Sequence, residues 1–173
     1  MHKIEIKRIS QIDINELQAI SILTFIETFS ALNTVENMNA YLENELSISK
    51  LSMELENIHS TFYFAMLENK VVGYLKLNVG EAQTEIKDES TMEIERIYVL
   101  KEFHGQKVGQ LLCDKALQVA LQANAFYVWL GVWEMNFRAI NFYTKNGFEP
   151  FDKHIFQLGN EEQTDIMMKR MLK

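Results

Sequence analysis

Between Glu95 and Leu112 the chain passes from the run Ile97-Tyr98-Val99-Leu100 through a polar stretch, Lys101 to Lys107, directly into an amphipathic segment that starts at Val108. Gly105 and Gly109 punctuate that passage. A strand, a glycine-bearing loop and a helix start in this order can hold a phosphate or pyrophosphate. The first amides of a helix have no intrahelical acceptor and lie at the positive end of its dipole, so several can donate to one anion. Many strand-to-helix turns carry glycines only for geometry, and the dinucleotide-binding and P-loop spacings are both absent. Just upstream, Glu93 and Glu95 lie two residues apart on the run that feeds the loop. Strand alternation puts both carboxylates on one face, where either can attract a cation and accept a proton; a solvated strand face has the same pattern. Cys113, among Leu112, Ala116 and Leu117, reads as a core residue and not a nucleophile. One cysteine and the scattered His2, His59, His104 and His154 give no zinc-ligand spacing, so no metal is expected.

These residues need elements to hold them. Lys3 to Ile9 alternates as a strand does, and a helix is expected from Asp13, with Asp13 as cap, Glu16 three residues on, and Leu17, Ile20, Leu23 and Phe25 as its buried stripe. Thr34 and Ser49 open two further helical stretches, presenting Met38, Tyr41 and Leu42 in one and Leu51, Leu55 and Ile58 in the other. Thr61 to Leu67 and Val71 to Val79, joined by Glu68-Asn69-Lys70, predict a hairpin. A polar connection leads to a strand over Met92 to Val99, then a helix from about Val108 to Ala123. A second strand and helix follow, Phe126 to Trp133 and Asn136 to Lys145, with Gly147 suited to the left-handed residue that ends such a helix. Strands over Phe148 to Leu158 and Gln163 to Met171 close the chain, with Met167, Met168 and Met171 as core and strand residues. No repeat, low-complexity tract or linker divides it, so residues 1–173 are expected to form one domain.

Composition narrows the partner. Lys and Arg number 17 against 24 Asp and Glu, a formal net charge of -7, which gives no general field for a phosphate backbone and favours a cationic small molecule over nucleic acid. With 47% of residues hydrophobic there is material for a sizeable core. The charged first residues lack a signal-peptide core, no apolar run is long enough for a membrane helix, and the lone cysteine forbids an internal disulfide, so the expected compartment is the cytoplasm.

A second segment changes the weight of the first. Asn136, Ala139, Phe142, Tyr143, Gly147 and Phe148 fill the pattern N-x-x-A-x-x-F-Y-x-x-x-G-F, and His104-Gly105-Gln106-Lys107-Val108-Gly109 fills the loop Q/R-x-x-G-x-G/A imperfectly. His104 stands where Gln or Arg is usual, and Lys107 where the first glycine is usual. Together the segments resemble the acetyl-CoA-binding core of the GCN5-related N-acetyltransferase (GNAT) superfamily. Ile94-Glu95-Arg96-Ile97-Tyr98, Trp129 to Glu134 and Gly159 to Asp165, with matches near Phe25 to Phe29 and Glu36 to Leu42, are further similar to bacterial PaiA-type spermidine/spermine N-acetyltransferases.

The resemblance implies an α/β (α+β) fold, a mixed central sheet of about seven strands that splays after the fourth and is flanked by helices. It implies acetyl-CoA as donor, held by the backbone of Ile97, Tyr98 and Val99 along the pantetheine and by the amides of His104, Gly105, Gln106, Lys107, Val108, Gly109 and Gln110 at the pyrophosphate. His104 would contribute through its backbone alone. Asn136, Tyr143 and Lys145 complete the cofactor set, and Tyr143 takes the role of acid to the departing sulfur. An alkylamine has a pKa of ~10.4 and must lose a proton before it attacks, so Glu93 and Glu95 become the candidate bases. Substrate-side helices come from the N-terminal segment in this fold, which makes Glu27 and Glu36, with Trp133 and Glu134 at a strand end, candidate contacts for a polyamine; Glu43 shares that acidic face. The expected activity is direct acetyl transfer to a primary amine of a small polycation. Alternatives are a protein N-terminus or aminoglycoside as acceptor, or a non-catalytic CoA sensor. No nucleic acid or membrane partner is implied, and a homodimer is left open.

Overall fold

A computed structural model describes residues 3–173. The strands are β1 (Ile4–Arg8), β2 (Ser60–Leu67), β3 (Lys70–Val79), β4 (Thr91–Val99), β5 (Tyr127–Trp133), β6 (Glu149–Leu158) and β7 (Glu161–Met171). The helices are α1 (Ile14–Phe29), α2 (Val35–Glu45), α3 (Ile48–Glu56), α4 (Val108–Gln122) and α5 (Phe137–Lys145). One seven-stranded mixed sheet runs in the order β1-β2-β3-β4-β5-β7-β6. All neighbours are antiparallel except β4 and β5.

Helix α4 covers one face of the sheet, because Val108, Leu112, Cys113, Ala116, Leu117 and Ala120 fall at helical spacing and are all buried. They join Ile94, Val128, Leu130, Val132, Tyr143 and Met168 in one core. The other face carries α1, α2 and α3 over a second core that includes Phe25, Phe29, Met38, Leu51, Phe62 and Tyr74. Local signals decide most helix boundaries. Thr34 caps α2 by accepting from the Asn37 amide at 3.2 Å, and Gly147 takes φ of 80° after α5. Asp13 accepts from the Ser10 amide at 3.0 Å just before α1 begins at Ile14.

Some expectations need correction. The stripe of α1 is Leu17, Ile20, Ser21, Thr24 and Phe25, whereas Leu23 is 47% exposed. Thr24 is accommodated there because its hydroxyl donates to the Ile20 carbonyl at 2.7 Å, within its own helix. The cap of α3 is Ser47, accepting from Lys50 at 3.2 Å, and not Ser49. Ile58 lies beyond the end of α3 and is 89% exposed, and Met171 at the end of β7 is 56% exposed.

Two irregularities of β4 create the site. Parallel pairing with β5 covers only Thr91↔Tyr127, Met92↔Val128 and Glu93↔Trp129, so beyond Glu93 the strands diverge and leave the β5-side edge of residues 94–99 unpaired. Against β3, the register jumps from Leu77↔Ile94 to Lys76↔Arg96, which makes Glu95 the extra residue of a bulge. Strict alternation would have put Glu93, Glu95, Ile97 and Val99 on one face. With the bulge, Ile94, Ile97 and Val99 pack towards α4, while Tyr98 packs with the core under α1 to α3 and Arg96 reaches Glu54 of α3. No described helix is long and apolar enough to cross a membrane.

Candidate active site

Where β4 and β5 part, a cleft of about 1080 Å³ opens between the two halves of the sheet. Its inner edge is Ile97, Tyr98 and Val99, and its end is the loop from His104 to the start of α4. Within that loop the amides of His104 and Gln106 are already used, donating to Lys101 at 3.1 Å and to Phe103 at 3.3 Å. Those of Gly105, Lys107, Val108, Gly109 and Gln110 meet no acceptor among the described residues, since the first helical bond of α4 runs from Leu111 to Lys107. A cluster of free donors at the start of a 15-residue helix has the chemistry to receive an anion. Gly105 adopts φ of 80°, and Lys107 adopts φ of 64° in the place of the usual glycine. Gly109 has an ordinary helical φ, and a Cβ there would find its nearest neighbours, Phe142 and Val99, at 3.9 Å. Packing does not require that glycine; the space it leaves opens on the cleft.

Asn136 caps α5, accepting from the Ala139 amide at 3.2 Å, and it lines the cleft with Tyr143. The Tyr143 ring is fixed edge-on between Phe142 (5.3 Å) and Phe148 (5.7 Å), and burial pushes its phenol well above the ordinary value, which keeps the proton on oxygen. The His104 side chain has a role that its sequence position did not reveal. Its Nε2 lies 2.8 Å from the Val99 carbonyl, and its Nδ1 contacts Arg138 of α5. Burial and the neighbouring Arg138 cation lower the His104 pKa, so the ring tends to be neutral. Cys113 is buried and its thiol is pushed up to about 12, in keeping with a structural residue.

The opposite face of β4 carries charge. Glu95 lies 2.5 Å from the Lys76 ammonium and 3.2 Å from Arg96, and Glu54 of α3 binds Arg96 bidentately at 2.7 and 3.0 Å and Lys76 at 3.2 Å. The two acids and two bases compensate one another. Although burial alone would raise Glu95, Arg96 and Lys76 hold its carboxyl below the usual range. Glu93, only 3% exposed, is instead pushed up by burial, against hydrogen bonds from the Thr84 amide (2.8 Å), the Thr84 hydroxyl (2.6 Å) and Asn78 (3.2 Å). Further along the same wall, Glu85, His154 and Asp165 also line the cleft.

The cleft thus brings together Glu93, Glu95 and Tyr143 with Glu27, Trp133 and Asn136. Glu27 also accepts from the Lys101 amide at 2.8 Å, tying α1 to the loop, and Trp133 packs on Phe29 at 5.7 Å. Gln106, Lys145, Glu36 and Glu134 lie outside the lining. Lys145 ends α5, and Glu36 sits in the exposed first turn of α2. Tyr98 lines the cleft and stacks its ring on Tyr74 at 5.9 Å. Residues that sequence reasoning missed are Arg138, His154 and Asp165. Arg138 was visible beside the Asn136 motif, but nothing local connects β6 and β7 to the cleft.

Residues 26–148 match the Acetyltransferase (GNAT) family. Over 99% of both chains, 40% of residues are identical to an uncharacterized N-acetyltransferase of Lactobacillus delbrueckii subsp. lactis. A spermidine N(1)-acetyltransferase of Thermoplasma acidophilum is 23% identical over 86% of this chain and 90% of its own. Among solved structures, a PaiA N-acetyltransferase from Thermoplasma acidophilum in complex with coenzyme A superposes with a TM-score of 0.82 at 22% identity, over 98% of this chain and 99% of that one. The chain belongs to the GNAT family of N-acetyltransferases, and its acetyl donor is acetyl-CoA.

Proposed function

We propose that this N-acetyltransferase acetylates a primary amine of a small polycation, with spermidine and spermine as the foremost substrates, in the cytoplasm. The observation that carries the reading is the charge balance of the cleft wall. On the wall around Glu93, Lys76 and Arg96 are matched by Glu54 and Glu95, which leaves Glu85, Glu93 and Asp165 without a Lys or Arg partner among the described residues, while Lys101, Lys107 and Arg138 line the loop and α5 end of the cleft. Such a wall attracts an extended cation and repels anionic acceptors. The distant spermidine acetyltransferase relative supports the same substrate class.

The donor fits the residues present. The free amides of Gly105 and of Lys107 to Gln110 would hold the pyrophosphate, and the unpaired edge of β4 at Ile97 to Val99 would bond the pantetheine arm, once the His104 ring leaves the Val99 carbonyl. Bound acetyl-CoA supplies the activated acyl group. Tyr143 would donate a hydrogen bond to the developing thiolate. Its raised pKa keeps the donor protonated, and full transfer to a thiol of pKa ~8.5 is uphill, so the contribution is chiefly that hydrogen bond. Glu95, committed to Lys76 and Arg96, is a poor proton acceptor; Glu93 contributes negative charge where the amine arrives. No covalent acyl-enzyme is needed, because both substrates reach one cleft.

Thiol release from acetyl-CoA, measured with spermidine, spermine, a monoamine, an aminoglycoside and peptides, tests the reading. Preferential turnover of the polyamines supports it. Preference for aminoglycosides or peptides transfers the activity to another amine, and CoA binding without turnover of any acceptor identifies a sensor.

A further inference from the structure

Three residues form a row on the side of the sheet that carries α1 to α3: Trp133 of β5 pairs with Asp165 of β7, which pairs with His154 of β6. His154 does not stand upright over its own strand. A Cβ built on Gly131 of β5 would lie 2.9 Å from His154 Cε1, 3.5 Å from its Nε2 and 3.3 Å from Asp165 Oδ2. The imidazole therefore leans across β7 and occupies the place where residue 131 would have a side chain, at the mouth of the divergence between β4 and β5. Gly131 is needed for that approach, since its φ is not in the left-handed range.

The ring is also oriented. Its Nδ1 is sealed from solvent without a hydrogen-bond partner, 4.0 Å from the Glu85 carboxylate, while Nε2 lies 3.5 Å from Asp165 Oδ2 above Gly131. Acids stand at both ring nitrogens, Asp165 the more closely, and favour the doubly protonated ring; with Nδ1 sealed, a proton from the cleft reaches the ring at Nε2. The other acids are less suited to receive a proton. Both oxygens of Glu93 are occupied by Thr84 and Asn78, and Glu95 faces Lys76 and Arg96.

We propose that His154, positioned by Asp165 and Glu85 over Gly131, is the proton acceptor for the attacking amine. The bound ammonium first gives one proton to solvent; the neutral nitrogen then forms its bond to the acetyl carbon and becomes acidic as it does so, and its second proton passes to His154 Nε2. The C–S bond breaks, the sulfur keeps the electron pair under the Tyr143 hydroxyl, and the proton on His154 leaves through solvent to balance the thiolate. The groups facing the imidazole are all acidic, Asp165 from β7, Glu85 from the segment before β4 and Glu93 from β4, and with Asp165 foremost they raise its pKa against burial. That brings the base towards the pH at which it works best.

The inference rests on the acetyltransferase reading with an amine acceptor, and its test separates the two. The pH profile of kcat/KM for spermidine, with acetyl-CoA saturating, is compared among the wild type, His154→Gln and Asp165→Asn, and CoA affinity is measured calorimetrically for each. The wild type should lose activity below an apparent pKa in the histidine range. His154→Gln should lower kcat/KM by roughly 10² to 10⁴-fold and abolish that limb, with CoA affinity retained. Asp165→Asn should move the limb to lower pH. A His154→Gln enzyme with the wild-type limb and turnover overturns the proposal. If the wild type uses no amine offered, the acceptor reading fails, and His154 is judged on the slow hydrolysis of acetyl-CoA, in which water is the nucleophile. Hydrolysis lost in His154→Gln then supports the role, and equal hydrolysis overturns it.

Discussion

Gly109→Ala separates what the fold requires of the cofactor loop from what the ligand requires. The added methyl would find Phe142 and Val99 at 3.9 Å, an ordinary contact, and the backbone there is not left-handed. Alanine in a helix is also favoured over glycine by about 0.5 to 1 kcal/mol, so the variant should unfold at an equal or higher temperature. The methyl points at the throat between Val99 and α5, where the donor would lie against the free amides of Gly109 and Gln110. Losing one well-aligned hydrogen bond to a charged phosphate costs about 1.5 to 3 kcal/mol, which raises the Kd for CoA roughly 10- to 150-fold. Isothermal titration with CoA, paired with thermal unfolding of the free protein, reads both effects. Gly105→Ala is the control. Its Cβ would enter open space but at φ of 80°, so it should lower stability by ~1 to 2 kcal/mol. Unchanged CoA affinity in a folded Gly109→Ala protein would show that α4 does not receive the pyrophosphate, and a large loss of stability would refute the argument that the space is not needed for packing.

Tyr143→Phe keeps the edge-on contacts to Phe142 and Phe148 and removes only the hydroxyl, so kcat should fall by roughly 10² to 10³-fold while CoA binding persists; wild-type turnover with chemistry rate-limiting would leave Tyr143 a packing residue. The KM for spermidine should rise with ionic strength more steeply than that for a monoamine, because only the polycation meets several of Glu85, Glu93 and Asp165; parallel salt responses would argue against charge selection. Glu54→Ala removes the bidentate partner of Arg96 and leaves two buried cations sharing Glu95, which should cost about 3 to 5 kcal/mol in urea unfolding, and a loss under 1 kcal/mol would mean that the network is solvated. Glu95 has a folded pKa below its unfolded value, so its contribution to stability is complete above the ordinary carboxylate range and is lost as pH falls through the depressed pKa; Glu95→Gln should flatten this acid limb of the stability profile.

Much of this protein was legible in the sequence because its signals are local. The periodicity of Val108 to Ala120, the Thr34 cap, the hairpin turn, found at Glu68-Asn69, and the left-handed Gly147 are decided by neighbours within a few residues, and the strand-loop-helix order around Gly105 and Gly109 carried the row of free amides with it. The family followed from the motif at Asn136 to Phe148. Tertiary structure decided what depends on register and on distant partners. Alternation put Glu93 and Glu95 on one face, as found, but the bulge at Glu95 moved Arg96 and Tyr98 to that face and Ile97 and Val99 away from it, because β3 pairs with β4 one residue out of step. Nor could spacing reveal that Lys76 and Glu54, far from Glu95 in sequence, would bind it and Arg96 into one compensated group. His154 and Asp165 read as ordinary strand residues. Only the order β5-β7-β6, together with the missing side chain of Gly131, brings them over the place where the sheet divides.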